Sequence, residues 1–274
     1  YGGTVMKEFT TNELGKRLEC AINWNRHAVG IRFLFTEKEF EEANAIELTK
    51  PMHFCRMVRA ATFGNGVKAT AKEHKCIAAA RALGLTDVDE FHRSGQRGLA
   101  FQLYHDLGSA KYTRDRQTLC DHRAYGVMVK PLAAYEDHEE PPHVVQIITN
   151  PYYAMRIIQG YTYYYGIETN FKMSGLQAVC SESTAYPYMS NHINLSMLCG
   201  GTRRYCKWGD DEVSVSIPYT KFALTVEGTL RTIDLQDNNE KKSIVRKKLS
   251  MNHMENEFPL HDNFHYCDLP ITYQ

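Results

Sequence analysis

Four of the eight cysteines fall into two spaced pairs: twenty residues separate Cys55 from Cys76, and eighteen separate Cys180 from Cys199. Thiolates are soft metal ligands and nucleophiles. Four of them buried at one point repel one another unless a metal ion or a cluster neutralises them. The expected chemistry is therefore an iron–sulfur cluster, of the four-iron type, with a redox or cofactor-handling role. Zinc is the competing cofactor, although structural zinc sites gather sulfurs from short knuckles such as C-x-x-C, which this chain lacks. Cluster ligands also commonly come in compact runs, so the wide spacing weighs against both and slightly less against the cluster. Beside Cys199, Gly200 and Gly201 would let backbone amides approach a cofactor. Arg203 and Arg204 would offset its charge or hold a small anionic ligand, with salt bridges to Asp210 and Asp211 as the plainer use. His53 and His74 flank the first pair, so a thiol enzyme is a further reading, weak because adjacent helical positions do not face each other. Cys206 and Cys267 stand in reserve as ligands, whereas Cys20 and Cys120 read as packed or free thiols.

The positioning elements repeat. Ala60 and Ala185 each follow the first cysteine of a pair by five residues, Phe63 and Tyr188 by eight, and Arg81 and Arg204 follow the second cysteine by five. Each half also carries a strand that stops at proline, Val127–Pro131 and Val213–Pro218. The expected fold is α/β (α+β) with mixed sheets and helices: two related lobes with pseudo-twofold symmetry, one over about 1–140 and one over about 141–235, with one cysteine pair on each facing surface.

Capping boxes at Thr10/Glu13, Thr36/Glu39 and Thr70/Glu73 start helices, the third of which is expected to carry Cys76 before stopping near Gly84. Asn150-Pro151 starts another, running to Gly166 with Tyr153, Ile157, Tyr161 and Tyr164 along one stripe, which reads as core before ligand pocket. Residues 86–122 form a polar, mostly helical insertion in the first half. Residues 236–274, with Lys241, Lys242, Arg246, Lys247 and Lys248, form a charged tail or a terminal helix.

Acidic and basic residues balance at 32 each, so no net field recruits nucleic acid or an anionic membrane. No apolar run reaches the roughly 18–20 residues of a bilayer span. A cytoplasmic location is expected, with a redox partner protein or a small anionic ligand as the partner. Walker, dinucleotide-binding, G-x-S-x-G and H-E-x-x-H motifs are missing, which counts against nucleotide hydrolysis, dinucleotide binding and zinc proteolysis.

Three segments carry a family pattern: Phe54-Cys55-Arg56-Met57-Val58-Arg59, the stretch from Cys76 to Ala82-Leu83-Gly84-Leu85, and Ala178-Val179-Cys180-Ser181-Glu182-Ser183-Thr184-Ala185-Tyr186-Pro187. Asn150-Pro151, Cys199-Gly200-Gly201 with Arg203-Arg204, and Asp210-Asp211-Glu212 continue it over roughly residues 10–222. In these the chain resembles the cysteine-rich uncharacterised proteins of archaea and anaerobic bacteria grouped as domain of unknown function 169. The resemblance favours Cys55, Cys76, Cys180 and Cys199 over the other four cysteines, and an anaerobic setting suits an oxygen-sensitive cluster. It implies no activity, so it does not say whether the protein is an enzyme.

Overall fold

A computed structural model describes residues 9–263. Helix α1 (Thr11–Ala21) starts on the Thr10/Glu13 capping box, and β1 (Val29–Leu34), α2 (Glu37–Glu42) and the short β2 (Ile46–Glu47) follow. Next come α3 (Phe54–Thr62), β3 (Val67–Thr70) and α4 (Ile77–Ala82). The polar insertion supplies α5 (Glu90–Arg93), α6 (Gln96–Ala100) and α7 (Leu107–Arg116), and β4 (Gly126–Pro131) closes the first half. The second half runs β5 (Val144–Thr149), α8 (Pro151–Tyr165), a π-helix (Ala178–Ala185), α9 (Tyr186–Ser190), β6 (Asn194–Ser196), α10 (Gly200–Cys206) and β7 (Val213–Pro218). Then α11 (Tyr219–Arg231), α12 (Ile233–Gln236) and α13 (Asn239–Met251) complete the described chain.

All seven strands lie in one mixed sheet, ordered β2-β3-β4-β1-β5-β7-β6. Leaving β2 aside, this order is symmetric about the antiparallel β1–β5 pair: β4 and β7 flank it, and β3 and β6 lie outside them, every neighbour antiparallel. An axis normal to the sheet between β1 and β5 therefore exchanges the halves. Both halves follow one order of parts: central strand, helix, helix bearing the first cysteine, outer strand, second cysteine at the start of a short helix, and a returning strand. The repeat read from the cysteine spacing is thus expressed in topology. Because β1 and β5 are hydrogen-bonded, the halves share one continuous sheet.

Strand alternation sorts the two faces. Val29, Ile31 and Phe33 of β1, with Val127 and Val129 of β4, pack beneath α3, α4 and the π-helix, together with Cys120, Cys180 and Cys206. On the other face Leu34, Met128, Val145, Ile147, Val213, Val215 and Ile217 pack against α1, α8, α11 and α13. Here α8 and α11 approach so closely that a Cβ on Gly160 would lie 2.1 Å from Thr229 Oγ1, and one on Gly228 would lie 2.2 Å from the Gly160 carbonyl oxygen. Only glycine permits that backbone contact. In the aromatic run Ile157 and Tyr161 are buried, while Tyr163 and Tyr164 are exposed, so the stripe is core on one side only.

One local expectation changes, and another resolves to one of its two alternatives, the terminal helix. The Thr70/Glu73 box forms, but it closes only a single turn, Ala71–Glu73, and Cys76 instead caps a separate helix, α4. The cause is the neighbouring backbone: the Met52 N–H donates to the Glu73 carbonyl and the Lys75 N–H to the Met52 carbonyl, which removes both groups from helical pairing. In addition, the basic segment near the carboxyl end is a packed helix. Lys242 is fully buried with its ammonium 3.0 Å from Asp234, and Lys248 donates to the Glu19 and Ile22 carbonyls at the end of α1. Cys267 lies outside the described residues.

Candidate functional site

The four predicted cysteines come together on one face of the sheet. Cys55 sits in the first turn of α3, Cys76 immediately before α4, Cys180 within the π-helix and Cys199 immediately before α10. Packing of α3 against α10 and the π-helix, and of α4 against the π-helix, joins the halves. The thiols lie within electrostatic reach of one another. Cys55 is held well above the usual thiol range by its hydrogen bond with Cys206, by burial, and by the sulfurs of Cys180, Cys206 and Cys199. Cys180 is raised by burial and by Cys76 and Cys199. All five are free thiols, Cys180 and Cys206 buried and the others half-buried.

Cys206, a reserve in the sequence reading, is thus a fifth member. Its thiol shifts downward because Cys55 hydrogen-bonds to it, opposed by burial and aided by the Arg56 and Arg59 guanidiniums. The spacing signal for it was faint, a seven-residue step from Cys199 along α10.

Among the described residues no three or more histidine, cysteine or acidic side chains gather as a metal-ion site. The two observations differ in what they require. A single zinc with Zn–S near 2.3 Å holds its sulfurs only about 3.8 Å apart. A cluster places a metal–sulfide body among its ligands and holds them wider.

The motif around Cys180 is buried throughout, and its polar groups other than Ser183 Oγ are used internally. Ser181 Oγ donates to the Thr118 carbonyl at 2.8 Å, fastening the insertion. Glu182 accepts from the Ser174 and Gly175 N–H groups and from Ser196 Oγ. Gln146 Nε2, reaching up from β5, donates to the Val179 and Ser183 carbonyls and to Thr184 Oγ1 at 2.6–3.1 Å. Pairing of this kind is what lets a π-helix, rare and common at functional sites, exist in a core.

Around the thiols stand groups without protein partners. Arg59 Nε and Arg114 Nη2 are buried donors without partners, while His74 Nε2, also unpaired, is an acceptor because its Nδ1–H donates to the Thr70 carbonyl. Arg114 feels Cys180 electrostatically, and its second arm reaches Gln177 Oε1 at 3.1 Å. Gly200 has open space where a side chain would begin, and a Cβ on Gly201 would meet Cys199 Sγ at 3.7 Å. Neither has a positive φ, so the fold itself does not demand glycine here. Bare backbone beside the sulfurs and spare donors both suit a bulky anionic cofactor.

Arg203 serves otherwise: it donates to the carbonyls of Gly209, Met197 and Glu212, and so fixes the loop into β7. Arg204 lies over the Tyr205 ring at 5.7 Å. Among the ion pairs of the described residues neither engages Asp210 or Asp211; the buried carboxylate of that run is Glu212, which binds Arg26. His53 stacks on Tyr205 and His74 on Phe54, and their described hydrogen bonds include none to a thiol. Cys20 and Cys120 are packed thiols, pushed by burial to about 11 and about 12.

The pattern of the uncharacterised ArCR family, domain of unknown function 169, matches residues 17–228. The chain belongs to this family. A relative, an uncharacterized protein of Methanocaldococcus jannaschii, is 25% identical over 217 residues, covering 78% of this chain and 91% of that protein. No solved structure matches. The family's matched span ends just past β7, within α11, and so contains every thiol of the group but not α12 or α13. No helix of the described residues is long and apolar enough to cross a membrane.

Close to the thiol face, Phe33, Phe35, His122, His143 and Tyr188 form one ring cluster with centroids 4.5–6.0 Å apart. Burial, then Arg32 and His122, pushes His143 down to about 4, and its Nδ1 accepts the Phe33 N–H at 3.0 Å. The unfolded chain, with a histidine near 6.5, then binds more protons than the native one between pH 6.5 and 4. Stability should therefore fall as pH drops through that window. Urea midpoints measured across it should show His143→Gln flattening the slope.

Proposed function

We propose that the protein carries an iron–sulfur cluster, of the four-iron type, on Cys55, Cys76, Cys180 and Cys199, and works in electron transfer or cofactor handling in the cytoplasm. The observation that carries this reading is the convergence of one cysteine pair from each half where α3, α4, α10 and the π-helix pack together, close enough that neighbouring sulfurs, with burial, push Cys55 and Cys180 upward. When bound, such a cluster supplies one-electron chemistry whose potential follows burial, charge and hydrogen bonds to its sulfurs. The chain's part is positional. Gln146 and the Thr118 carbonyl hold the π-helix that presents Cys180, Thr202 Oγ1 accepts the Cys199 N–H at 3.0 Å, and Arg56, Arg59 and Arg114 offset negative charge. A redox protein or a small anion is the expected partner.

A structural zinc, or packed thiols alone, in a non-catalytic binding module is the alternative. The Cys55–Cys206 hydrogen bond favours the packed thiols, because thiols that satisfy each other need no metal. Metal and sulfide analysis with a visible spectrum, on protein purified without oxygen, separates the two. About four irons and four sulfides per chain with a broad visible absorption supports the cluster. Colourless protein with zinc or no metal, which also takes up no iron and sulfide when both are supplied, supports the binding module.

A further inference from the structure

The strand registers let the two halves be compared residue by residue. β1 and β4 pair Val29 with Pro131 and Leu34 with Gly126, as β5 and β7 pair Val144 with Pro218 and Thr149 with Val213. Val213 therefore stands where the first half has Gly126. One strand further out, Lys68 pairs with Met128 and Leu195 with Val215, so Leu195 answers to Lys68. The helices that follow the central strands align by their caps: Phe40 and Ala154 each lie four residues past the N-cap, their N–H groups donating to the Thr36 and Asn150 carbonyls. Ala154 thus holds the place of Phe40.

In the first half that place is filled. The Phe40 ring covers Gly126, where a Cβ would come within 2.6 Å of it, and its centre lies 5.0 Å from the Lys68 ammonium. In the second half the side chain at this place ends at a methyl, and a cavity of about 500 Å³ opens there, lined by Ala154, Met155 and Ile158 of α8 and by Leu195, Met197 and Val213 opposite them. Its volume falls within the ~300–1,000 Å³ of small-molecule sites. Met155 and Met197 are 42% and 52% exposed, so the lining is open to a ligand from solvent. No lining side chain carries a charge, and a charged ligand would lose its hydration here without compensation. Methionine adapts its shape to a flat ring and makes favourable sulfur–aromatic contacts. We propose that this cavity binds a small neutral aromatic ligand, whose planar ring takes the place over Val213 and Leu195 that the Phe40 ring takes over Gly126 and Lys68. The thiols pack on the opposite face of the sheet, so occupancy of this site requires no metal.

Fluorescence titration of the full chain with N-phenyl-1-naphthylamine, a neutral aromatic probe that brightens in apolar surroundings, tests this. One saturable site per chain is the expected result. 1-Naphthol should displace the probe about tenfold better than 1-naphthoate, which adds a charge, and than 1-decanol, which has the same carbon count in a flexible chain. Ala154→Phe supplies on α8 the ring that α2 carries, and should abolish saturable binding while the protein stays folded. Met155→Glu, an exposed change on the cavity wall, should weaken the probe about tenfold and remains decisive should Ala154→Phe fail to fold. Absence of a saturable site, displacement by 1-naphthoate or 1-decanol as ready as by 1-naphthol, or unchanged affinity in folded Ala154→Phe or in Met155→Glu would overturn the proposal.

Discussion

Cys180→Ser is expected to lower bound iron, in protein purified without oxygen, from about four to below about one per chain. Cys180 is the one buried thiol of the four, within electrostatic reach of Cys76 of the first half and Cys199 of its own. Serine is a poor ligand for iron in a sulfur-rich site. Cys55→Ser, Cys76→Ser and Cys199→Ser should act alike, whereas Cys120→Ser and Cys20→Ser should leave iron unchanged. The telling variant is Cys206→Ser. Its hydrogen bond with Cys55 places it beside the proposed ligand set, and the proposal expects this variant to keep its iron. Iron lost in Cys206→Ser and kept in Cys55→Ser would exchange the two residues' roles. A set of variants with no change in iron from wild type would remove the assigned ligands altogether.

Asp237→Ala should destabilise the protein by about 3–5 kcal/mol, read as a lower denaturant midpoint at unchanged slope. Arg156 on α8 is almost fully buried, with its Nε 3.1 Å from Asp237, and the same carboxylate accepts from Tyr152. Its other donors reach Thr232 Oγ1, Gln159 Oε1 and the Thr229 carbonyl. Removing the carboxylate strands a guanidinium inside the protein. Replacing both partners at once, Arg156→Met with Asp237→Leu, should cost much less, because no buried charge is then left uncompensated. Equal losses in the single and double variants would show that packing, not charge, sets the effect. Either way the experiment bears on residues after the family's matched span, since Asp237 anchors the start of the α13 segment to α8.

Much of this arrangement was written in the chain as local chemistry. Thr10 with Glu13, Asn150 with Pro151 and Asn238 cap helices through side chains one to three residues from the backbone they satisfy, so their effect needs no tertiary partner. The cysteine spacing and its echoes at Ala60/Ala185 and Arg81/Arg204 carried the internal repeat, because duplicated parts keep their internal distances whatever surrounds them. Family membership was legible for the same reason.

Other features were decided by groups far apart in sequence. The third capping box could not extend its helix to Cys76, since Met52, more than twenty residues upstream, takes the backbone partners that the helix would use. Five lysines and arginines near the carboxyl end resemble a solvated run until Asp234 supplies a carboxylate to buried Lys242 and the end of α1 supplies carbonyls to half-buried Lys248. Arg203 reads as an anion ligand until the loop into β7 folds back and fills its donors with carbonyls. The partnership of Cys206 with Cys55 likewise exists only once α3 and α10 have packed. Sequence fixes which groups can donate, accept or ionise and how near neighbours meet. Burial and long-range pairing, which set whether those groups are spent or spare, belong to the tertiary structure alone.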